Sequence, residues 1–486
     1  MLETSGVLDK FPLDKFKDEC GVVAIHGHSE AAKLAYYSLY TLQHRGQECA
    51  GVSTWDGKTI HTTKKNGVVS DIFTPEVIKG LPGSLAIGHT RYSTSGDKDE
   101  MNAQPFSVHC NKGLIAVAHN GNITNAAELR KHLEDKGSIF QASSDTEVIL
   151  HLVAHSTEKT LKDALRDALL QLEGAFSLVF LAADRIIVAR DPHGFRPLAM
   201  GNLKVPGHPD ATVFASETCA FDFLDATYLN DVQPGEMVVV GPEGITRERY
   251  TPEKPRAQCV FEHVYFARPD SMVFGRPVQT SREKMGRLLA QESHVPADIV
   301  VPVPDSGNTA ALGYAAEANL PYRQALIRNH YVGRTFIEPS QAIRDFGVKL
   351  KLNPIRSLLE GKRVILVDDS IVRGTTSEKI VRMVRRAGAT EVHLRISCPP
   401  TVSPCFYGVD TPSKRELIAA NKNTEEIRKF IGADSVAYLS MPGLTRAVSD
   451  EVGEYCYACY TGNYPTDFVN IEQLVKAGKK AGIETP

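Results

Sequence analysis

The chain has 486 residues, of which 42% are hydrophobic and 23% charged, and its net charge is −3. That length exceeds what one hydrophobic core supports, so two or three domains are expected. The charge leaves no general basic field for nucleic acid, and no apolar run approaches the roughly 18 residues that cross a bilayer, so neither nucleic acid nor membrane is an expected partner.

Residues 1–19 are mixed and slightly acidic, unlike a secretory or organellar targeting segment, which sets the expectation of a cytoplasmic protein. Residues 21–25 form a short apolar strand. Ser29 then stands as the cap of a helix that carries Ala31, Leu34, Ala35, Leu39 and Leu42 at helical spacing. The runs at 85–88, 114–119, 176–182 and 186–189 are apolar and turn-bounded, as strands are. Leu161, Ala164, Leu165, Ala168, Leu169 and Leu172 mark a further amphipathic helix, so the first half reads as stacked sheets with helices outside.

From about 234 to 258 the chain is rich in Gly, Pro and charge, which predicts a domain boundary. Beyond it, 298–303 and 363–367 are β-branched and non-alternating, the pattern of parallel strands buried on both faces. The second is followed by a loop, a helix with Ile380, Met383, Val384 and Ala387 on one face, and a strand at 391–396. That is a βαβ unit.

The loop of this unit reads Asp368-Asp369-Ser370-Ile371-Val372-Arg373-Gly374-Thr375-Thr376-Ser377. Two carboxylates at the carboxyl end of a parallel strand can accept hydrogen bonds from ribose hydroxyls, and a small hydroxyl-rich turn at a helix N-terminus suits a phosphate. The Gly-Lys-Ser/Thr ending of a Walker loop is missing, and the plainer alternative is a solvated strand end. The pattern resembles the fingerprint of type I phosphoribosyltransferases, which bind 5-phosphoribosyl-1-pyrophosphate (PRPP). Pro302-Val303-Pro304-Asp305-Ser306-Gly307 resembles their pyrophosphate loop and residues 334–344 their closing lid. The resemblance implies PRPP contacts at Asp305, Ser306, Asp368, Asp369, Arg373, Gly374, Thr375 and Thr376. It further implies Mg2+ on Ser306, Asp368 and Asp369, and Arg344 and Lys349 meeting phosphate charge when the lid shuts.

In the first half, Cys20 begins a strand, and nothing about its neighbours Glu19 and Gly21 marks it as a core thiol. Four other segments stand out: Gln43-His44-Arg45-Gly46-Gln47-Glu48, Gly88-His89-Thr90-Arg91-Tyr92-Ser93-Thr94, His119-Asn120-Gly121-Asn122 and Ser143-Ser144-Asp145-Thr146-Glu147. Together with Cys20 they resemble the class II glutamine amidotransferases, a branch of the N-terminal nucleophile hydrolases. The resemblance implies a four-layer αββα domain and a propeptide at 1–19, whose removal frees the α-amino group of Cys20 to act as base. It implies an oxyanion hole from the Asn120 side chain and the Gly121 N–H, Arg91 on the α-carboxylate of glutamine, Asp145 on its α-ammonium, and a pocket shaped by Tyr92 and Thr94. Without it, an ion pair would be the ordinary reading of Arg91 and Asp145.

Five of the nine cysteines, Cys259, Cys398, Cys405, Cys456 and Cys459, lie in the second half. Nine are too few for a disulfide scaffold, so each is read as catalytic, metal-bound or buried. Cys456-x-x-Cys459 can grip one metal or cluster edge. Amidotransferase branches with a [4Fe-4S] cluster carry its ligands in segments like those of Cys259, Cys405, Cys456 and Cys459; zinc or plain burial fits the same residues.

The joint resemblance runs from Cys20 to about Tyr464. It implies domains at 20–255, for glutamine hydrolysis, and 256–486, a mainly parallel phosphoribosyltransferase sheet with the cluster segment. The implied enzyme converts glutamine, PRPP and water to 5-phosphoribosylamine, glutamate and pyrophosphate, the opening step of purine synthesis, with ammonia passed between two sites. A homotetramer inhibited by purine nucleotides is implied with it. Other class II amidotransferases lack the Asp368-Asp369 loop, a nucleotide-sensing regulator has no use for the Cys20 segments, and no matched position is missing as in a dead paralogue.

Overall fold

The computed structural model describes residues 20–92, 100–329, 352–449 and 453–466. The propeptide at 1–19, Thr94, and the lid with Arg344 and Lys349 lie outside the described residues. Two antiparallel sheets build the first half. One has seven strands, centred on Gly21–His26 between Ala211–Ala215 and Leu85–Arg91; the other has six, centred on Gly113–Ile123, Gly174–Ala182 and Arg185–Arg190.

Strand periodicity sorts their side chains into layers. Val22, Ala24 and Ile87 of the first sheet meet Ala116, Ala118, Val179 and Val188 of the second in one buried cluster. The alternate residues Val23 and Ile25 face outward onto Ala35 and Leu39 of the helix Ala31–Thr41. On the far side, Val117, Leu178 and Phe180 pack against the helices Thr146–His155 and Leu161–Gln171 through Val148, Val153 and Leu165. The order helix, sheet, sheet, helix is the expected αββα sandwich. A fully buried Val or Leu in these layers contributes about 1.5–3 kcal/mol, which fixes strand register because a one-residue slip would expose a whole face.

The second half holds a four-stranded parallel sheet in the order Ile299–Pro302, Arg363–Asp368, Glu391–Ile396 and Ser435–Tyr438. The helices Asn308–Ala318 and Thr375–Arg386 follow its first two strands and share a single core with it. Ser435–Tyr438 was not legible in the sequence, since all four of its residues are only half-buried and its apolar signal is short.

One expectation needs correction. The first helix begins after Glu30, which makes no side-chain cap, so Ser29 is not its N-cap. Within the stretch from 234 to 258, Glu236–Gly241 and Gly244–Arg249 form a hairpin on the edge of the six-stranded sheet. Its Gly and Pro residues shape the turns at each end of a strand, and the apolar Met237, Val238 and Val240 between them are buried.

Candidate active sites

The strand Gly21–His26 brings Cys20 into the sandwich between Leu85–Arg91 and Ala211–Ala215. Cys20 is buried; its Sγ lies 3.7 Å from the Tyr92 carbonyl, and its own carbonyl accepts a 3.0 Å bond from Arg45 Nε. Ser216 links this strand to the predicted oxyanion site. Its Oγ accepts from Val22 N at 3.0 Å and lies 3.5 Å from Asn120 Nδ2. Gly121 follows at φ +146°, where an added Cβ would stand 2.0 Å from the Ala175 carbonyl. Only glycine fits there.

Arg91 ends its strand buried beside Cys49, its register partner. Burial pushes the Cys49 thiol up to about 12, against the pull of the Arg91 guanidinium. Asp145 accepts from Ile123 N at 2.9 Å and lies 3.6 Å from His119 Nδ1. Burial raises its carboxyl, yet the neighbouring His119 and the bond from Ile123 outweigh this and hold it below the usual carboxylate range. The strand that follows Cys20 is thus linked to Asn120 through Ser216, Arg91 ends the neighbouring strand, and Asp145, just before the helix Thr146–His155, bonds the last residue of Gly113–Ile123.

A buried ionic network that the motifs did not reveal braces this site. Arg45 is fully buried between Glu217, at 2.6 Å, and Glu262, at 2.7 Å, while it also holds the Cys20 carbonyl. Glu262 approaches Arg196 as well, at 3.4 Å. Burial alone would raise the Glu217 carboxyl, but His44 and Arg45 beside it hold it well below its ordinary value. Arg45 lies in the segment Gln43 to Glu48 and Glu262 closes the Cys259 segment, but neither was expected in an ion pair, and Glu217 carried no local signal.

In the second half, the strand Arg363–Asp368 delivers Asp368 and Asp369, both buried, to its carboxyl end. Ser306 Oγ donates to Asp369, so the pyrophosphate-loop segment and the acidic pair meet as expected. The Asp305 carboxylate pairs with Arg328, and Arg373 with Glu416 at 2.8 Å; both predicted contacts are engaged with protein groups. Gly374, at φ +83°, leads into the helix Thr375–Arg386 and, having no side chain, makes no side-chain cap there.

The cysteines converge on a third place. The short strands Gln258–Cys259 and Tyr455–Cys456 pair in parallel with Cys259 opposite Cys456, and Cys259, Cys405, Cys456 and Cys459 line one cavity with Tyr407 and Phe195. Burial pushes Cys456 up to about 12 and Cys459 well above the ordinary thiol value, and the neighbouring sulfurs push Cys459 further. Cys398 is buried outside this lining. Among the described residues, no three His, Cys, Asp or Glu side chains form a group that would hold a single metal ion.

Residues 89–222 match the glutamine amidotransferase domain family. A chloroplastic amidophosphoribosyltransferase of Vigna aconitifolia is 55% identical over 458 residues, covering 94% of this chain and 93% of that protein. The Methanocaldococcus jannaschii amidophosphoribosyltransferase is 48% identical over 476 residues, covering 94% of this chain and 99% of its own. The chain belongs to the amidophosphoribosyltransferase family. Its fold agrees with the solved glutamine PRPP amidotransferase of Bacillus subtilis complexed with ADP and GMP, at a TM-score of 0.88 and 48% identity over 93% of this chain and 98% of that one. The chain is therefore an enzyme that joins a glutamine amidotransferase to a phosphoribosyltransferase.

Proposed function

We propose that this enzyme makes 5-phosphoribosylamine, with glutamate and pyrophosphate, from glutamine, PRPP and water, as the first step of purine biosynthesis, and that its two halves divide at about residue 255. The observation that carries the reading is that Ser216 links Val22, two residues after Cys20, to Asn120, while in the same chain Ser306 meets the Asp368-Asp369 pair. Once residues 1–19 are removed, the α-amino group of Cys20, with an ordinary pKa near neutrality, takes the thiol proton and the sulfur attacks the glutamine amide. Asn120 Nδ2 and Gly121 N–H receive the oxyanion, where one donor is worth about 3–4 kcal/mol. Arg91 holds the α-carboxylate of glutamine and Asp145 its α-ammonium.

The oxygens of the half-buried Ser306 and of the buried Asp368 and Asp369 suit Mg2+, a hard cation that takes oxygen ligands and keeps part of its shell for a substrate's phosphates. When bound, the ion supplies charge neutralisation at the pyrophosphate. Asp368 and Asp369 orient the ribose hydroxyls, and Thr375 and Thr376 at the helix tip meet the 5-phosphate. Ammonia passes from the first site to the second without release to open water, where it would be protonated.

Four thiols around one enclosed space fit the ligand set of a [4Fe-4S] cluster. When bound, the cluster supplies a cross-link between the segment at Cys259 and the C-terminal segment at Cys456 and Cys459. Iron and acid-labile sulfide in anaerobically purified protein, lost on Cys456→Ser together with thermal stability, support this. Zinc in their place, or equal stability with and without iron, opposes it. A homotetramer inhibited by purine nucleotides completes the reading, and the relative bound to ADP and GMP supports the nucleotide part.

The test is stoichiometry. With Mg2+, glutamine and PRPP, glutamate and pyrophosphate should appear in equal amounts; glutamate released with no pyrophosphate would overturn the reading.

A further inference from the structure

Asn122, the last residue of the motif His119-Asn120-Gly121-Asn122, has no part in the chemistry above. Its Nδ2 donates at 2.9 Å to the carbonyl of Phe406, 284 residues away in the second half. Two residues on, Gly408 packs its backbone onto Gly121. At φ +104°, a Cβ added to Gly408 would stand 3.0 Å from both Cα and C of Gly121 and 3.2 Å from its oxygen. Gly121 is thus held from two sides, by the Ala175 strand and by this loop.

The loop is itself firmly braced. The fully buried Arg196 donates to the Tyr407 carbonyl through Nε at 2.8 Å and Nη2 at 2.7 Å, the Tyr407 ring stacks on Phe195 at 4.1 Å, and Cys405 N donates to Thr411 Oγ1 at 2.8 Å. A carbonyl held by a buried guanidinium fork does not drift, so the backbone that follows it is a fixed surface.

We propose that the loop 405–409 of the phosphoribosyltransferase half is a positioning element of the glutaminase oxyanion hole. Asn122 and Gly408 are its two contact points, and they set the direction of the Gly121 N–H. This rests on the assignment of Gly121 to the oxyanion hole given above. An oxyanion donor acts on the tetrahedral intermediate more than on bound glutamine, so a small displacement lowers kcat and leaves KM nearly in place.

The experiment compares Asn122→Ala and Gly408→Ala with wild type in the full chain, measuring glutamine hydrolysis and ammonia-dependent synthesis separately. Gly244→Ala is the control for backbone strain alone, because Gly244 has φ +101° with nothing within 4 Å of an added Cβ. Both test variants should lower kcat for glutamine about ten-fold, keep KM within roughly two-fold, and retain wild-type ammonia-dependent synthesis, with the control unaffected. Hydrolysis in both test variants equal to that of the control, or an equal loss of both activities, overturns the proposal. If Gly408→Ala does not fold, Asn122→Ala decides by the same criteria. A wild-type protein that hydrolyses no glutamine defeats the underlying assignment, a result distinct from unaffected variants of an active wild type.

Discussion

Glu262 shares its carboxylate between Arg45 and Arg196, all three fully buried. Removing one member of such a network strands the others in a low-dielectric interior, so Glu262→Ala should cost about 3–5 kcal/mol in urea unfolding; a loss under about 1 kcal/mol would mean that water replaces the carboxylate. Its neighbour His263 is also buried, which with the Arg282 charge lowers its pKa to about 3. The unfolded chain takes up that proton near pH 6.5 and the folded chain only near 3. The stability from keeping this ring neutral is therefore complete above about pH 6.5 and is lost as pH falls toward 3, by up to about 1.4 kcal/mol per pH unit. His263→Phe should flatten the acid side of a stability-against-pH curve; an unchanged slope would contradict the assignment. Asn120, Gly121, Asp368 and Asp369 lie in short contiguous runs, which a resemblance can carry. The pairing of Glu262 was not legible, because Arg45 is 217 residues away and only the fold brings the two together.

At the scale of elements, the strands that could be read were those buried on one or both faces, where apolar periodicity is strong. The half-buried Ser435–Tyr438 lacked that signal, and the Glu236–Arg249 hairpin was hidden because its turn residues look the same as those of a linker. The helix Thr375–Arg386 is entered through Gly374, whose added Cβ would also meet Ile418 Cδ1 at 2.8 Å. Gly374→Ala should cost about 1–3 kcal/mol from its left-handed backbone and should raise KM for PRPP with that for glutamine unchanged. PRPP kinetics matching wild type would separate this helix tip from phosphate binding.

Across the whole molecule, the two halves meet through contacts that no single segment announces: Arg45 with Glu262, Arg196 with the Tyr407 carbonyl, and Asn122 with the Phe406 carbonyl. The sandwich order and the parallel sheet were both foreseen, one by resemblance and the other from buried β-branched runs. The fit of one half against the other is a property of the folded chain alone. Such contacts let the second half shape the first, yet they leave the two chemistries separable, because the acidic pair lies on its own strand end. Cys20→Ala tests that separation most directly, with pyrophosphate release from PRPP driven by glutamine or by ammonia as the readout. The glutamine-driven rate should fall to background while the ammonia-driven rate stays near wild type; a variant that still uses glutamine at the wild-type rate would contradict the assignment of Cys20 as nucleophile.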